Sequence, residues 1–199
     1  MNDRRFLGTV FALELTEGEA TVRSVTERTE LGQDVVNSSA ERLRREGLLK
    51  KEGRRLSLTE KGRKFIRVVF IGGGFEIIHP GHIYTIEQAR RLGDVLVAVV
   101  ARDSTIRKRK GREPVASESE RMRLLSSLRQ VDASVLGVEG DIYLTLEKVR
   151  PDIVALGYDQ YHAESEILRE GARRGMDLKV VRLGAHHPEI KTSRLLRET

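Results

Sequence analysis

The stretch from Arg67 to His82, RVVFIGGGFEIIHPGH, leaves the chain few folds to choose from. Val68 to Ile71 is an apolar run of the length expected for a strand buried on both faces. Gly72, Gly73 and Gly74 follow, and a backbone without Cβ atoms can approach a ligand closely. His79-Pro80-Gly81-His82 comes next and leads into Ile83, Ile86, Ala89 and Leu92, a spacing that predicts a helix. A strand that enters a glycine turn and then a helix N-terminus makes an anion site, because unpaired N–H groups and the helix dipole both favour negative charge. Two imidazoles at that helix start add hydrogen-bond donors where charge develops. The expected chemistry is that of a nucleotide with its phosphates.

From residue 67 onward, apolar runs alternate with amphipathic stretches. The predicted strands are Arg67 to Gly72, Asp94 to Ala101, Ala133 to Val138, Asp152 to Leu156 and Leu178 to Leu183. The predicted helices are Gly81 to Arg91, Glu118 to Leu128, Ile142 to Val149, Ala163 to Arg174 and Thr192 to Glu198. This alternation defines an α/β class: a Rossmann-like parallel sheet with helices on both faces. Ligands of such sheets lie beyond the carboxyl ends of the strands, where the strand order reverses. Gly72 to His82, the basic loop at Arg102 to Arg112, Gly157 to Tyr161 and Ala185 to Ser193 all follow strand ends.

Residues 1–66 read as a separate domain, with 67–199 as the second. Phe6, Val10, Phe11 and Leu13 predict a helix ending near Gly18. A second short helix carries Val22 and Val25, and a third carries Val35, Val36, Ala40, Leu43 and Leu48. Leu49 to Leu58 predicts a hairpin turning at Glu52-Gly53, and a short helix runs from Glu60 to Phe65. Three helices and a two-stranded wing resemble a small winged helix-turn-helix domain. That resemblance implies duplex DNA as a partner, with Arg42, Arg45, Lys50, Lys51, Arg54 and Arg55 as candidate DNA-binding residues. A packing or dimerisation module is the other reading, and Glu14, Glu17, Glu19, Glu27 and Glu30 dilute its basic character.

GGFEIIHPGH is similar to the GTFDxxHxGH signature of the cytidylyltransferase-like nucleotidyltransferases. The resemblance continues through Val99 to Thr105, Arg107 to Pro114, Glu118 to Arg121 and Gly157-Tyr158-Asp159-Gln160. Within that superfamily, the ARDST-x-RKRKGREPV and LGYDQ stretches look most like the archaeal FAD synthases. The resemblance implies transfer of AMP from ATP to FMN, with Mg²⁺ screening the phosphates and pyrophosphate leaving. Two alternatives stand beside it. One is CTP with glycerol 3-phosphate or a similar phosphate ester; the other is a DNA-binding regulator whose transferase-like domain senses a nucleotide.

The resemblance places His79 and His82 along the triphosphate, and with Lys110 they are the expected catalytic residues. Nucleotide binding is expected from Gly73, Gly74, Phe75, His79, His82, Lys108, Lys110, Arg121, Gly157, Tyr158, Asp159, Thr192 and Ser193. A flavin wall would draw on Phe75, Tyr84, Tyr143, Tyr158 and Tyr161. Two positions depart from the family pattern: Gly74 stands where the signature has threonine, and Glu76 where it has aspartate. Metal ligands are not assigned by the sequence.

Composition narrows the setting. There are no cysteines, which excludes disulfides and zinc–thiolate sites. No apolar run reaches the roughly 18 residues of a membrane span, and the N-terminus has no signal-peptide core. A cytoplasmic protein with no membrane partner is expected, and a homodimer is the expected assembly, though composition does not bear on it. The net charge of +6 favours anionic partners.

Overall fold

A computed structural model describes residues 2–184. The chain divides into two compact units, Met1–Arg67 and Val68–Thr199.

In the first unit, helix α1 (Asp3–Glu17) starts where the Asn2 side chain accepts from the Arg5 N–H, and it ends at Gly18. Phe6, Leu7, Val10 and Leu13 form its buried side. Strand β1 (Ala20–Thr21) leads into α2 (Val22–Thr29), which opens with a capping box between Thr21 and Ser24. Helix α3 (Gln33–Arg45) buries Val36, Ala40 and Leu43. The expected last residue of that helix, Leu48, lies beyond its end and is buried, its carbonyl accepting from the Thr59 N–H at 3.1 Å. Strands β2 (Leu49–Glu52) and β3 (Arg55–Leu58) pair antiparallel, and β1 adds to the far side of β3. Helix α4 (Glu60–Phe65) closes the unit, capped by Thr59.

The second unit is a five-stranded parallel sheet flanked by helices. Its elements are β4 (Val68–Gly73), α5 (Pro80–Arg90), β5 (Val95–Val100), α6 (Asp103–Lys110), α7 (Glu118–Ser126), β6 (Ala133–Leu136), α8 (Ile142–Val149), β7 (Ile153–Leu156), α9 (Glu164–Arg173) and β8 (Lys179–Arg182). The strand order is β6-β5-β4-β7-β8, so the chain reverses direction across the sheet at β4. All six residues of β5 are buried, as a strand covered on both faces requires. Two aspartates set the register at the opposite rim: Asp152 accepts from the Val68 N–H at 2.6 Å, and Asp132 from the Leu96 N–H at 2.7 Å. Val69, Ile71, Ile86, Leu96, Ala98, Val100, Leu125 and Ala155 meet in the core beneath the site.

The expected basic loop after β5 is a helix. Only Ile106 of α6 is buried, so the stretch has no apolar periodicity to reveal it. Its stability comes from the ends: Asp103 in the first turn and four basic residues in the last complement the dipole. Gly111 then takes the left-handed conformation that closes the helix (φ 66°). Among the described residues no helix is long and apolar enough to cross a membrane. The predicted helix Thr192 to Glu198 lies outside them.

Candidate active site

The turn after β4 is shaped by close packing. A Cβ on Gly73 would lie 3.0 Å from the Phe75 ring, so only glycine leaves that ring its place. Phe75 itself sits at φ 48°, a left-handed conformation that costs a side-chain-bearing residue about 1–2 kcal/mol. Its ring is buried and packs 5.4 Å from His82, as part of the core. Phe75 is therefore a support beneath His82 and not the open nucleotide or flavin wall expected of it.

His79 is the N-cap of α5 and Pro80 its first residue, where a missing N–H is no loss. The His82 N–H returns to the His79 carbonyl at 2.9 Å, and this turn brings the two ring centres to 4.0 Å, with the rings tilted 37° to each other. Burial holds the His82 pKa down to about 4, with His79 beside it as the next cause, while the Ile77 carbonyl and Asp159 pull the other way. Burial also lowers His79, against the pull of Asp159. Both imidazoles are thus neutral at pH 7. The Nδ1 of each is buried without a hydrogen-bond partner among the described residues.

Opposite them, the end of α6 carries the cations. Lys110 pairs with Glu76, whose side chain is fully buried, and Arg112 Nη1 reaches the same carboxylate at 2.7 Å. Burial would raise the Glu76 pKa, but hydrogen bonds from Arg112 and Lys110 outweigh it and hold the carboxyl below its ordinary value. Nζ of Lys110 lies 3.9 Å from where a Gly74 Cβ would stand, so the predicted lysine does come to the glycine turn. Lys108, on the same helix, is exposed. Arg107 is turned to Glu113, and Arg109 lies over the Tyr161 ring at 4.3 Å.

Arg121 corrects an expectation. Predicted to bind phosphate, it is 1% exposed. It donates to the carbonyls of Ala116 (3.0 Å) and Ala101 (2.8 Å), to that of Gly74, and to Asp103 at 2.6 Å. It ties the glycine turn to the β5 exit and the start of α7, and is not open to a phosphate.

The third wall follows β7. Gly157 is buried, Tyr158 half-buried and Asp159 exposed. Gln160 Nε2 donates to the Gly72 carbonyl at 2.6 Å while its Oε1 accepts from the Gly157 N–H at 3.2 Å. That one amide fastens the exit of β4 to the exit of β7. Arg182 adds hydrogen bonds to the carbonyls of Gly157, Gln160 and His162. The sequence contained Gln160 in the GYDQ block, but Arg182 and the Glu76 pairing gave no local signal. Of the flavin-wall candidates, Tyr84 lines a groove with Ile78, His79, Pro80 and Ile83, Tyr143 is covered by Arg174, and Tyr161 is exposed. Thr192 and Ser193 lie outside the described residues. So the structure gathers His79, His82, Gly73, Gly74, Lys110 and the Gly157–Asp159 turn around the end of β4. Among the described residues no group of three or more acidic or histidine side chains is gathered for a metal.

In the first unit, Arg42 is turned to Asp3 of α1 and to Glu46, and Lys51 to Glu41. These two expected DNA contacts are engaged within the unit. Arg45, Lys50, Arg54 and Arg55 are exposed.

A parallel sheet that reverses at β4, with a paired-histidine helix start and a lysine facing it, defines a nucleotide-handling class. The chain belongs to the cytidylyltransferase-like family, which it matches over residues 70–196. Among its relatives, an FAD synthase of Aciduliprofundum boonei is 50% identical over 115 residues, covering 58% of this chain and 76% of the relative. An FAD synthase of Thermoplasma volcanium is 41% identical over 130 residues, covering 65% of this chain and 91% of the relative. The crystal structure of the lipopolysaccharide core biosynthesis protein from Thermoplasma volcanium is similar in fold, with a TM-score of 0.59 at 42% identity. It covers 61% of this chain and 98% of that one.

Proposed function

We propose that the protein is an FAD synthase, a nucleotidyltransferase that joins the AMP of ATP to FMN. An FMN phosphate oxygen attacks the α-phosphorus of ATP, the bond to the β-phosphate oxygen breaks, and pyrophosphate leaves. The observation that carries this reading is a pair of adjacent, neutral imidazoles with Lys110 at the same β4 turn, in a chain 41–50% identical to relatives of that name. Such a reaction needs little covalent chemistry from protein, only alignment and stabilisation of spreading negative charge.

Neutral histidines donate hydrogen bonds to phosphate oxygens without adding two positive charges in a buried place. Lys110 and Lys108 supply that charge from the opposite side. Gly157, Tyr158 and Asp159 frame the nucleoside. Mg²⁺, when bound with the nucleotide, would screen the charge of the triphosphate. Asp159, near enough to raise both histidine pKa values, is the carboxylate that would share the ion. The two relatives carry the name FAD synthase, which does not favour CTP with glycerol 3-phosphate.

The test is incubation with Mg²⁺ and each pairing of ATP or CTP with FMN or glycerol 3-phosphate, followed by chromatography. FAD and pyrophosphate in equal amounts from ATP and FMN support the reading; product only from CTP overturns it.

For the N-terminal unit we read a winged helix that binds duplex DNA. Support comes from the exposed Lys50, Arg54 and Arg55 on the β2–β3 hairpin, and from a groove beside it lined by Gln33, Asn37, Lys51 and Arg54. Phosphate contacts by the hairpin would make binding fall steeply with salt. Anisotropy of a labelled duplex tests this: Arg54→Ala with Arg55→Ala should flatten the salt dependence, and salt-insensitive or absent binding contradicts it.

A further inference from the structure

The two half-exposed cations beside the glycine turn, Lys110 and Arg112, are not independent. Both oxygens of Glu76 are taken: Oε1 accepts from Arg112 Nη1 at 2.7 Å and the Val115 N–H at 3.4 Å, and Oε2 from Lys110 and from Arg112 Nη2 at 3.3 Å. The carboxylate has no exposure, whereas the side chains of Lys110 and Arg112 are 42% and 37% exposed. One buried negative charge thus holds two half-exposed positive ones, and the surplus positive charge faces outward. Without that anchor the two cations would repel and swing into solvent, because each is a long side chain with many rotamers.

We propose that Glu76 is a positioning residue, whose buried carboxylate sets Lys110 and Arg112 as a two-cation cradle for the polyphosphate of the donor nucleotide. The role rests on the nucleotidyltransferase reading, but its geometry can be tested without turnover. Glu76 reaches across 34 positions of sequence to Lys110, and it also fixes the Val115 N–H, so one residue orders the segment between α6 and α7 against the glycine turn. The position differs from the aspartate of the family signature by one methylene.

Charge balance and positioning predict opposite signs, which makes the idea refutable. Removing a negative charge near a phosphate site should tighten anion binding if Glu76 only offsets charge. If it positions the cradle, Glu76→Gln should weaken it. Calorimetry with pyrophosphate is the probe. Glu76→Gln is expected to raise the pyrophosphate Kd about tenfold, and the KM for ATP in parallel, with kcat changed less than threefold.

Lys110→Met combined with Glu76→Gln should lose less than the product of the two single losses, since the two share the Lys110 contact while Arg112 depends on Glu76 alone. Glu76→Asp should recover part of the affinity, and it serves as the probe if the glutamine variant does not fold. Unchanged or tighter pyrophosphate binding overturns the proposal, as do losses that multiply in the double variant. A loss confined to FMN relative to riboflavin, with pyrophosphate unaffected, overturns the assignment to the donor. If wild-type protein makes no FAD but pyrophosphate binding follows this pattern, the acceptor reading fails and the cradle stands.

Discussion

Replacing Arg121 with methionine removes a guanidinium while keeping most of its apolar stem. The wild-type side chain is 1% exposed and holds the carbonyls of Gly74, Ala101 and Ala116 together with Asp103. Deleting one partner of a buried ion pair costs about 3–5 kcal/mol. Each carbonyl left dry adds about 1 kcal/mol where water does not reach it. Asp103 is 21% exposed on its side chain and regains some hydration, so a total loss of about 3–5 kcal/mol is expected. In urea, with a slope of about 2 kcal/mol/M, the midpoint for the second unit should fall by roughly 2 M. Far-UV circular dichroism follows the transition. A loss under about 1 kcal/mol, accompanied by weakened ATP binding, would refute the structural assignment and restore Arg121 as a phosphate ligand.

Other consequences are as direct. Gly73→Ala sets a methyl 3.0 Å from the Phe75 ring, and should cost about 1–3 kcal/mol and most of the turnover, read by melting and by FAD formation. His82 has a folded pKa of about 4 against about 6.5 unfolded, so its contribution to stability is complete above pH 6.5 and lost as pH falls toward 4. That loss is at most about 3 kcal/mol, measured by urea titrations at pH 7.5, 5.5 and 4. Lys110→Met should lower kcat/KM for ATP by about 10²-fold, while a fall under threefold removes it from the site. Tyr161→Ala frees Arg109 and should change stability by no more than about 1 kcal/mol, checked by the same melts.

The sheet was legible in the sequence because its strands are short, β-branched apolar runs ended by glycine or aspartate, as in VVFI, VLVAVV and IVAL. The paired histidines were legible because their positions are fixed by one helix start. Helix α6 was not, since Arg107 to Lys110 carry no apolar period and its stability lies in end charges and the Gly111 cap. Arg121 looked like a surface or phosphate residue because three of its four acceptors, at Gly74, Ala101 and Asp103, lie 47, 20 and 18 positions away in the chain. Glu76 looked like a mere lengthening of an aspartate, because its partners lie more than thirty positions along the chain. Local pattern records burial and turns; long-range pairing of charges leaves no periodicity to read.

The account stands on two neutral imidazoles and Lys110 meeting a polyphosphate at the β4 turn. Nuclear magnetic resonance of ring-labelled histidine, titrated with a non-hydrolysable ATP analogue and Mg²⁺, tests this most directly. His79 and His82 should start neutral at pH 7 and shift together as the analogue binds, with both shifts abolished by excess pyrophosphate. Saturable analogue binding that leaves both rings unmoved would contradict it.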